Sequence, residues 1–334
     1  MTTPRAQWMA DPVIQSKKVG QLVLPGTHDS GTYSLTLELS QVEYSNISFL
    51  WKLKDGQAPK GFPGKSPYYL GPDLYNFVFL LVRETAQAHD QPLYQQLTDG
   101  IRYFDLRLYW DTDIQELYIH HGLRGAAVSD LLQDVGKFVA DEGGRELIFL
   151  EVSHTNFSEQ PDGPPTLLAR LKQYLGAKLY VPENLDALAA TKLSDITGQG
   201  SRVVVLNTDD YQYPQGSPVL NTTGFQDSGR GADGVDDVTQ LEQAEAQGLA
   251  QARTSPFYKI NWTLTPQMAD IINGAVARVT GTQSAPMLKG LADKANAALQ
   301  AFVSANGQYP FNLINVDWYE DSPVVDIAVE LSMS

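Results

Sequence analysis

Short apolar runs with strand character recur along the chain at Leu22 to Leu24, Tyr103 to Tyr109, Leu117 to Ile119, Leu147 to Val152, Val203 to Leu206, Phe257 to Trp262 and Leu313 to Val316. Between most of them, apolar residues repeat at helical spacing. Leu131, Leu132, Val135, Phe138 and Val139 form one such series, which stops at Gly143 and Gly144. Leu167, Leu168, Leu171, Tyr174 and Leu175 form a second before Gly176, and Leu288, Leu291, Ala295, Leu299 and Phe302 a third. This alternation predicts parallel β/α units of the α/β class. Seven strand candidates favour a single irregular (β/α)8 barrel of TIM type over an open sheet, with an eighth strand hidden or degenerate. No repeat at solenoid period and no linker long enough to divide the chain occurs, so one domain over residues 1–334 is expected.

Two stretches depart from the alternation. Ser34 to Asp90 reads as an elaboration after the first strand, and Gln212 to Asp236 is rich in Gly, Asp, Asn and Ser. Both are expected to project as loops on the catalytic face of a barrel, where substrate enters. Within the first, Trp51 to Tyr69 holds Lys52, Lys54, Lys60 and Lys65 against a single acid, Asp55, with Trp51, Phe62, Tyr68 and Tyr69 among them. Rings that settle at headgroup level beside lysines that meet phosphates suit a peripheral membrane contact. An ordinary Pro/Gly-rich surface loop would read the same way.

Charge narrows the partners. A formal net charge of -15 over 334 residues argues against nucleic acid and against simple attraction to an anionic bilayer, so any lipid surface must be met locally. The absence of cysteine excludes disulfides, a thiolate zinc site and a thiol nucleophile. The start, MTTPRAQWMADP, has neither the basic nor the apolar region of a secretory signal, and no apolar stretch reaches the roughly 18 residues of a membrane span. A soluble mature chain is expected, with export open to it if a signal has been removed.

The candidate chemistry lies at strand ends. The first strand delivers Thr27-His28-Asp29-Ser30 at its C-terminal end, the catalytic end of a barrel strand. Use of Asp29 or Ser30 as a helix cap, with His28 merely exposed, is the plainer reading. On Ile101 to Tyr109, alternation sets Tyr103, Asp105 and Arg107 on one face and Phe104, Leu106 and Leu108 on the other. If the aliphatic face meets the helices, Asp105 and Arg107 point inward, as either a structural ion pair or an anion site. His120 and His121 end the short run Leu117 to Ile119, and their opposite parity leaves only one facing the site. Glu151 and Ser153 alternate inward on Leu147 to Val152. Asp317 follows the strand Asn312 to Val316, where a carboxylate can orient an imidazole. Two histidines, an arginine and several aspartates at strand ends suit phosphodiester cleavage, which needs a base, a cation for the phosphoryl oxygens and an acid for the leaving alkoxide.

These residues resemble the X-domain phospholipases C, most closely the bacterial phosphatidylinositol-specific enzymes. The segments that carry the likeness are LPGTHDSGTY at 24–33, QLTDGIRYFDLRL at 96–108, LYIHHGL at 117–123 and INVDWYE at 314–320. Weaker similarity runs through LIFLEVSH at 147–154, RVVVLN at 202–207 and WTLTP at 262–266. The resemblance implies that His28 is the general base, supported by Asp317, and that His121 is the acid that protonates the diacylglycerol oxygen. It implies that Arg107 binds the phosphate, with Asp29 bridging Arg107 and the leaving-group region. Asp105 would brace the site, and Asp105, Glu151, Lys259 and Trp262 are the substrate-binding candidates. The implied products are diacylglycerol and inositol 1,2-cyclic phosphate. Because calcium-dependent members carry a carboxylate at the position of Arg107, the resemblance favours a metal-independent enzyme without a cofactor, although Glu151, Asp29 and Asp105 are ligands of the kind calcium takes. It also implies a secreted, monomeric protein with a transient peripheral contact at a lipid surface.

Two rivals share these residues. A glycerophosphodiesterase on a similar barrel needs a carboxylate-rich metal site, and here Asp-Leu-Arg at 105–107 stands in place of a Glu-x-Asp pair. A non-catalytic inositol-lipid-binding module would require the loss of a catalytic group.

Overall fold

Eight parallel strands follow one another around a curled sheet in the order β7-β6-β5-β2-β1-β10-β9-β8. They are β1 (Leu24–Thr27), β2 (Tyr103–Asp111), β5 (Leu147–Ser153), β6 (Arg202–Asn207), β7 (Val219–Asn221), β8 (Gln226–Asp227), β9 (Tyr258–Trp262) and β10 (Leu313–Val316). The two remaining strands, β3 (Glu116–His121) and β4 (Leu123–Ala127), form antiparallel pairs off β2. The computed structural model describes residues 4–42, 72–141, 144–227, 234–267, 271, 273, 281–282 and 287–334. Trp51 to Tyr69 lies outside these residues.

The architecture is the expected irregular barrel, open between β7 and β8 among the described residues. The degenerate part of the barrel is this pair of short strands, which falls within Gln212 to Asp236, a stretch expected to be loop. Leu117 to Ile119 was expected to alternate with helices as a barrel strand. Instead it is the middle of β3, which runs antiparallel to the C-terminal half of β2 with Leu108 opposite Ile119. β2 is nine residues long and outruns its barrel neighbours, so its far end is free to pair with a hairpin.

Alternation assigns the two faces of the sheet. Phe104, Leu106, Leu108, Ile148, Leu150 and Val152 pack outward in a cluster with Leu131, Leu132, Val135 and Phe138 of the helix Val128–Asp141. Tyr103, Phe149, Val204, Leu206 and Phe225 fill the interior. The rings of Phe225 and Phe257 stack there at 4.5 Å. Fully burying side chains of this size contributes about 1.5–3 kcal/mol apiece. Gly26 sits on β1 because a Cβ there would lie 2.6 Å from Leu313 Cδ1, against the neighbouring strand.

The N-terminal turns close the lower end. Trp8, Met9 and Ile14 are buried in the same cluster as Leu147 and Leu188. The fully buried Arg102 donates to Glu146 at 2.8 Å and to the carbonyls of Ala6, Leu97 and Ile101. A charge so deep is tolerable only with its partners in place. With the bottom sealed, the open end is the one to which the strands deliver their C-termini. Among the described residues, no helix is long and apolar enough to cross a membrane.

Candidate active site

The strand ends converge on a polar cleft of about 450 Å³. His28, Asp29, Arg107, His121 and Asp317 line it together with Asp105, Glu151 and Lys259. β1 continues one residue beyond its ladder, with the His28 amide donating to the Val316 carbonyl at 3.0 Å. The chain then turns through Asp29 at a left-handed φ of 49°, and Trp318, just after Asp317, has the same φ. Non-glycine residues held in this region concentrate where geometry is over-determined by function.

His28 Nδ1 lies 3.0 Å from Asp317 Oδ1, and His28 Nε2 lies 2.9 Å from an Arg107 amino nitrogen. Guanidinium can only donate, so Nε2 accepts, Nδ1 carries the hydrogen toward Asp317, and the ring in this arrangement is neutral. The charges around it pull the other way. Burial alone would lower its pKa, but the Asp29 and Asp317 carboxylates outweigh burial and raise it to about 9. The arginine contact therefore describes the base form, and protonation of Nε2 would have to displace Arg107.

Asp29 is the hub. Its carboxylate contacts Arg107 Nε, lies 3.2 Å from His121 Nδ1 and 3.5 Å from His28 Nε2. Burial opposes its ionisation, yet Arg107, His121 and His28 hold it well below the usual carboxylate range. Asp105 accepts from the Asp29 amide at 3.3 Å and from Ser153 Oγ at 3.0 Å, and it lies 3.9 Å from Arg107 Nε. Burial opposes ionisation of Asp105, but Arg107, His28 and Lys259 together lower its pKa. Burial raises that of Asp317 despite its contact with His28.

The two histidines of the pair face opposite ways. His120 is fully buried, donates through Nε2 to the His154 carbonyl at 2.8 Å and is driven by burial to a pKa of about 3. His121 lines the cleft, its Nδ1 also 3.0 Å from the Ala86 carbonyl, and burial lowers its pKa.

Of the substrate-binding candidates, Glu151 accepts from the Tyr103 hydroxyl, and Lys259 lies 3.6 Å from Asp227. Burial would lower the lysine pKa, but Glu151, Asp227 and Asp105 together raise it, so the ammonium stays charged. Trp262 is a correction. Lys259 and Asn261 face the cleft, so Trp262, one residue further along β9, points outward. It is 1% exposed, packs on Phe302 at 4.5 Å and donates to the Ala295 carbonyl at 2.7 Å. It cannot meet a substrate there.

Three residues of the site carried no sequence expectation. His89 is fully buried and donates through Nε2 to the His28 carbonyl at 2.8 Å, and nothing in its surroundings along the chain marks it. Asp227 ends β8 in the stretch expected to be loop. His154 follows directly on β5, at the catalytic end of a barrel strand, which is the signal that could have found it.

His28, Asp29 and Asp105 hold donor atoms within 4.8 Å of one another, the spacing of a metal site. Arg107 contacts Asp29 and lies 3.9 Å from Asp105, so a fixed cation already stands among these carboxylates.

No family model matches the chain. It is 28% identical over 193 residues to human PI-PLC X domain-containing protein 2, covering 56% of this chain and 56% of that protein. It is 24% identical over 352 residues to bovine PI-PLC X domain-containing protein 3, covering 98% of this chain and 93% of that one. The match thus spans about half the length of the first relative and nearly all of the second. Among solved structures, the phosphatidylinositol-specific phospholipase C of Listeria monocytogenes superposes with a TM-score of 0.61 at 17% identity, covering 98% of this chain and 99% of that one. A pentafluoro-Phe-incorporated phosphatidylinositol-specific phospholipase C of Staphylococcus aureus gives 0.60 at 16% identity, covering 98% of each chain. At these identities the structural likeness is one of fold. The likeness read from the motifs is matched in both comparisons: the chain is similar to PI-PLC X-domain proteins in sequence and to phosphatidylinositol-specific phospholipases C in fold.

Proposed function

We propose that this chain is a phosphatidylinositol-specific phospholipase C that uses its own side chains, without a metal, for the whole of the chemistry. The observation that carries this reading is the convergence of His28, Arg107, Asp29, His121 and Asp317 on one cleft, with each imidazole tied to a carboxylate.

His28 Nε2 takes the proton from the inositol 2-hydroxyl once the substrate phosphate has drawn Arg107 away from it. The freed oxygen attacks phosphorus, and the bond from phosphorus to the diacylglycerol oxygen breaks. His121 gives its Nε2 proton to that leaving oxygen, because Nδ1 is engaged by Ala86 and Asp29. Arg107 spreads its charge over the phosphoryl oxygens as the pentacoordinate state forms. A hydroxyl already held beside phosphorus saves the entropy of recruiting water, which makes inositol 1,2-cyclic phosphate the first product. Asp317 holds the His28 tautomer and stabilises the imidazolium.

Arg107 against Asp29 and near Asp105 supports the metal-free form of this mechanism, because guanidinium and a divalent cation would compete for the same carboxylate and phosphate oxygens. The lipid surface is met by Trp51 to Tyr69, with its lysines and rings. The test is a 31P NMR time course with phosphatidylinositol, with and without EDTA. Appearance of the cyclic phosphate in both supports the reading; activity abolished by EDTA and restored by calcium or magnesium would replace it with a metal-dependent phosphodiesterase.

A further inference from the structure

A third imidazole stands on the cleft wall with no part in the chemistry above. His154 is exposed on the cleft that holds His28, Arg107 and His121. Its backbone is left-handed, with φ at 51°, and the buried His120 donates to its carbonyl at 2.8 Å, which anchors the turn. The left-handed turn matters because strict alternation after Ser153 would send the next side chain away from the site.

The hydrogen bonds around His154 fix its tautomer. Ser153 Oγ donates its only hydrogen to the Asp105 carboxylate at 3.0 Å, since a carboxylate can only accept. The 3.0 Å contact between Ser153 Oγ and His154 Nδ1 must then run the other way, with Nδ1–H donating to Ser153. Nδ1 is protonated, so Nε2 of the neutral ring is a bare lone pair. Desolvation at the cleft wall and the neighbouring Arg107 lower the His154 pKa, which favours the neutral ring.

From this geometry we infer that His154 determines headgroup specificity, its Nε2 accepting a hydrogen bond from a ring hydroxyl of a polyol headgroup. A bare nitrogen repels phosphoryl oxygens and attracts a hydroxyl hydrogen, so the atom selects the sugar-like part of the substrate over the phosphate. The inference rests on the reading of the chain as a phosphatidylinositol phospholipase C, and it extends that reading to a residue that binds and does not transfer protons.

The test uses the full-length protein, soluble short-chain phosphatidylinositol and two variants. His154→Phe keeps a ring but removes the acceptor, and His154→Gln restores an acceptor oxygen at the end of a side chain of similar reach. Loss of one neutral hydrogen bond predicts a rise in KM of about three- to tenfold for His154→Phe with kcat within about twofold of wild type, the signature of uniform binding. His154→Gln recovers most of the loss, and inhibition by free myo-inositol weakens in parallel with KM. An unchanged KM in His154→Phe overturns the inference, as does a His154→Gln variant no better than Phe. Wild-type protein that cleaves no phosphatidylinositol would overturn the functional reading instead. In that case calorimetric binding of myo-inositol to wild type and His154→Phe decides the inference alone: equal affinity, or no binding to wild type, would sink it.

Discussion

Arg107 donates to His28 Nε2 at 2.9 Å, so the atom proposed to take the substrate proton is held by the group proposed to bind the phosphate. Substrate binding and base activation are then one event: phosphate pulls guanidinium away, and the lone pair of Nε2 becomes available. Because Asp29 and Asp317 raise the His28 pKa to about 9 while burial lowers that of His121, the productive pairing of neutral His28 with protonated His121 is a minority state of the free enzyme. In such reverse protonation the limbs of a bell-shaped kcat/KM profile exchange owners. The descending limb, near pH 9, belongs to His28 and the ascending limb to His121. Asp317→Asn removes a carboxylate that favours the imidazolium, so it should move the descending limb to lower pH and lower the His28 midpoint in an NMR titration. A limb that stays in place in Asp317→Asn would contradict the assignment.

His28 and His121 should be far more sensitive to substitution than the buried His120. His28→Ala and His121→Ala are each expected to lower turnover by about 10²- to 10⁴-fold, the usual worth of a general acid or base. His120→Ala should keep turnover per folded molecule within about tenfold while lowering thermal stability, because it removes a packed ring and its bond to the His154 carbonyl. Turnover and thermal melts measured side by side check this. Losses of equal size in all three would overturn the division of roles.

The ion pair under the barrel gives a prediction about stability that is separate from the chemistry. Arg102→Met strands the fully buried Glu146 in a site where burial already raises its pKa. Breaking a buried pair from one side costs about 3–5 kcal/mol, which urea unfolding would register as a lower midpoint. The Arg102→Met/Glu146→Leu double variant should recover part of that loss. No recovery in the double variant would show that the arginine acts through its backbone contacts alone.

Membrane contact can be separated from catalysis by the choice of substrate. Replacing Trp51 and Phe62 by Ala should weaken activity on phosphatidylinositol vesicles while leaving activity on a soluble monomeric substrate. A uniform loss on both would point to folding instead.

Much of the site was legible because strand alternation is a strict rule. It assigned Asp105 and Arg107 to the interior, left only one of His120 and His121 facing the site and set Glu151 and Ser153 inward, while the choice of His121 came from the family resemblance. The same rule, applied to Lys259, would have excluded Trp262, which sits at the opposite parity on β9. What alternation could not show is where it breaks. His154 enters the cleft through a left-handed residue, and its chemistry depends on the direction of two hydrogen bonds that only the structure displays. β7 and β8 were missed because strands of three and two residues, set among Gly, Asn and Asp, bury too little to leave a pattern. β3 was misread because a short apolar run does not say whether its partner is parallel or antiparallel.

The central claim is that this cleft cleaves phosphatidylinositol by side-chain chemistry alone. The most direct measurement is a 31P NMR time course on phosphatidylinositol with EDTA present throughout, run with wild type and with Arg107→Gln. The account predicts inositol 1,2-cyclic phosphate from wild type in EDTA and a loss of at least about 100-fold in Arg107→Gln that added calcium does not restore. Wild type silent in EDTA and active with calcium, or an Arg107→Gln variant as fast as wild type, would contradict it.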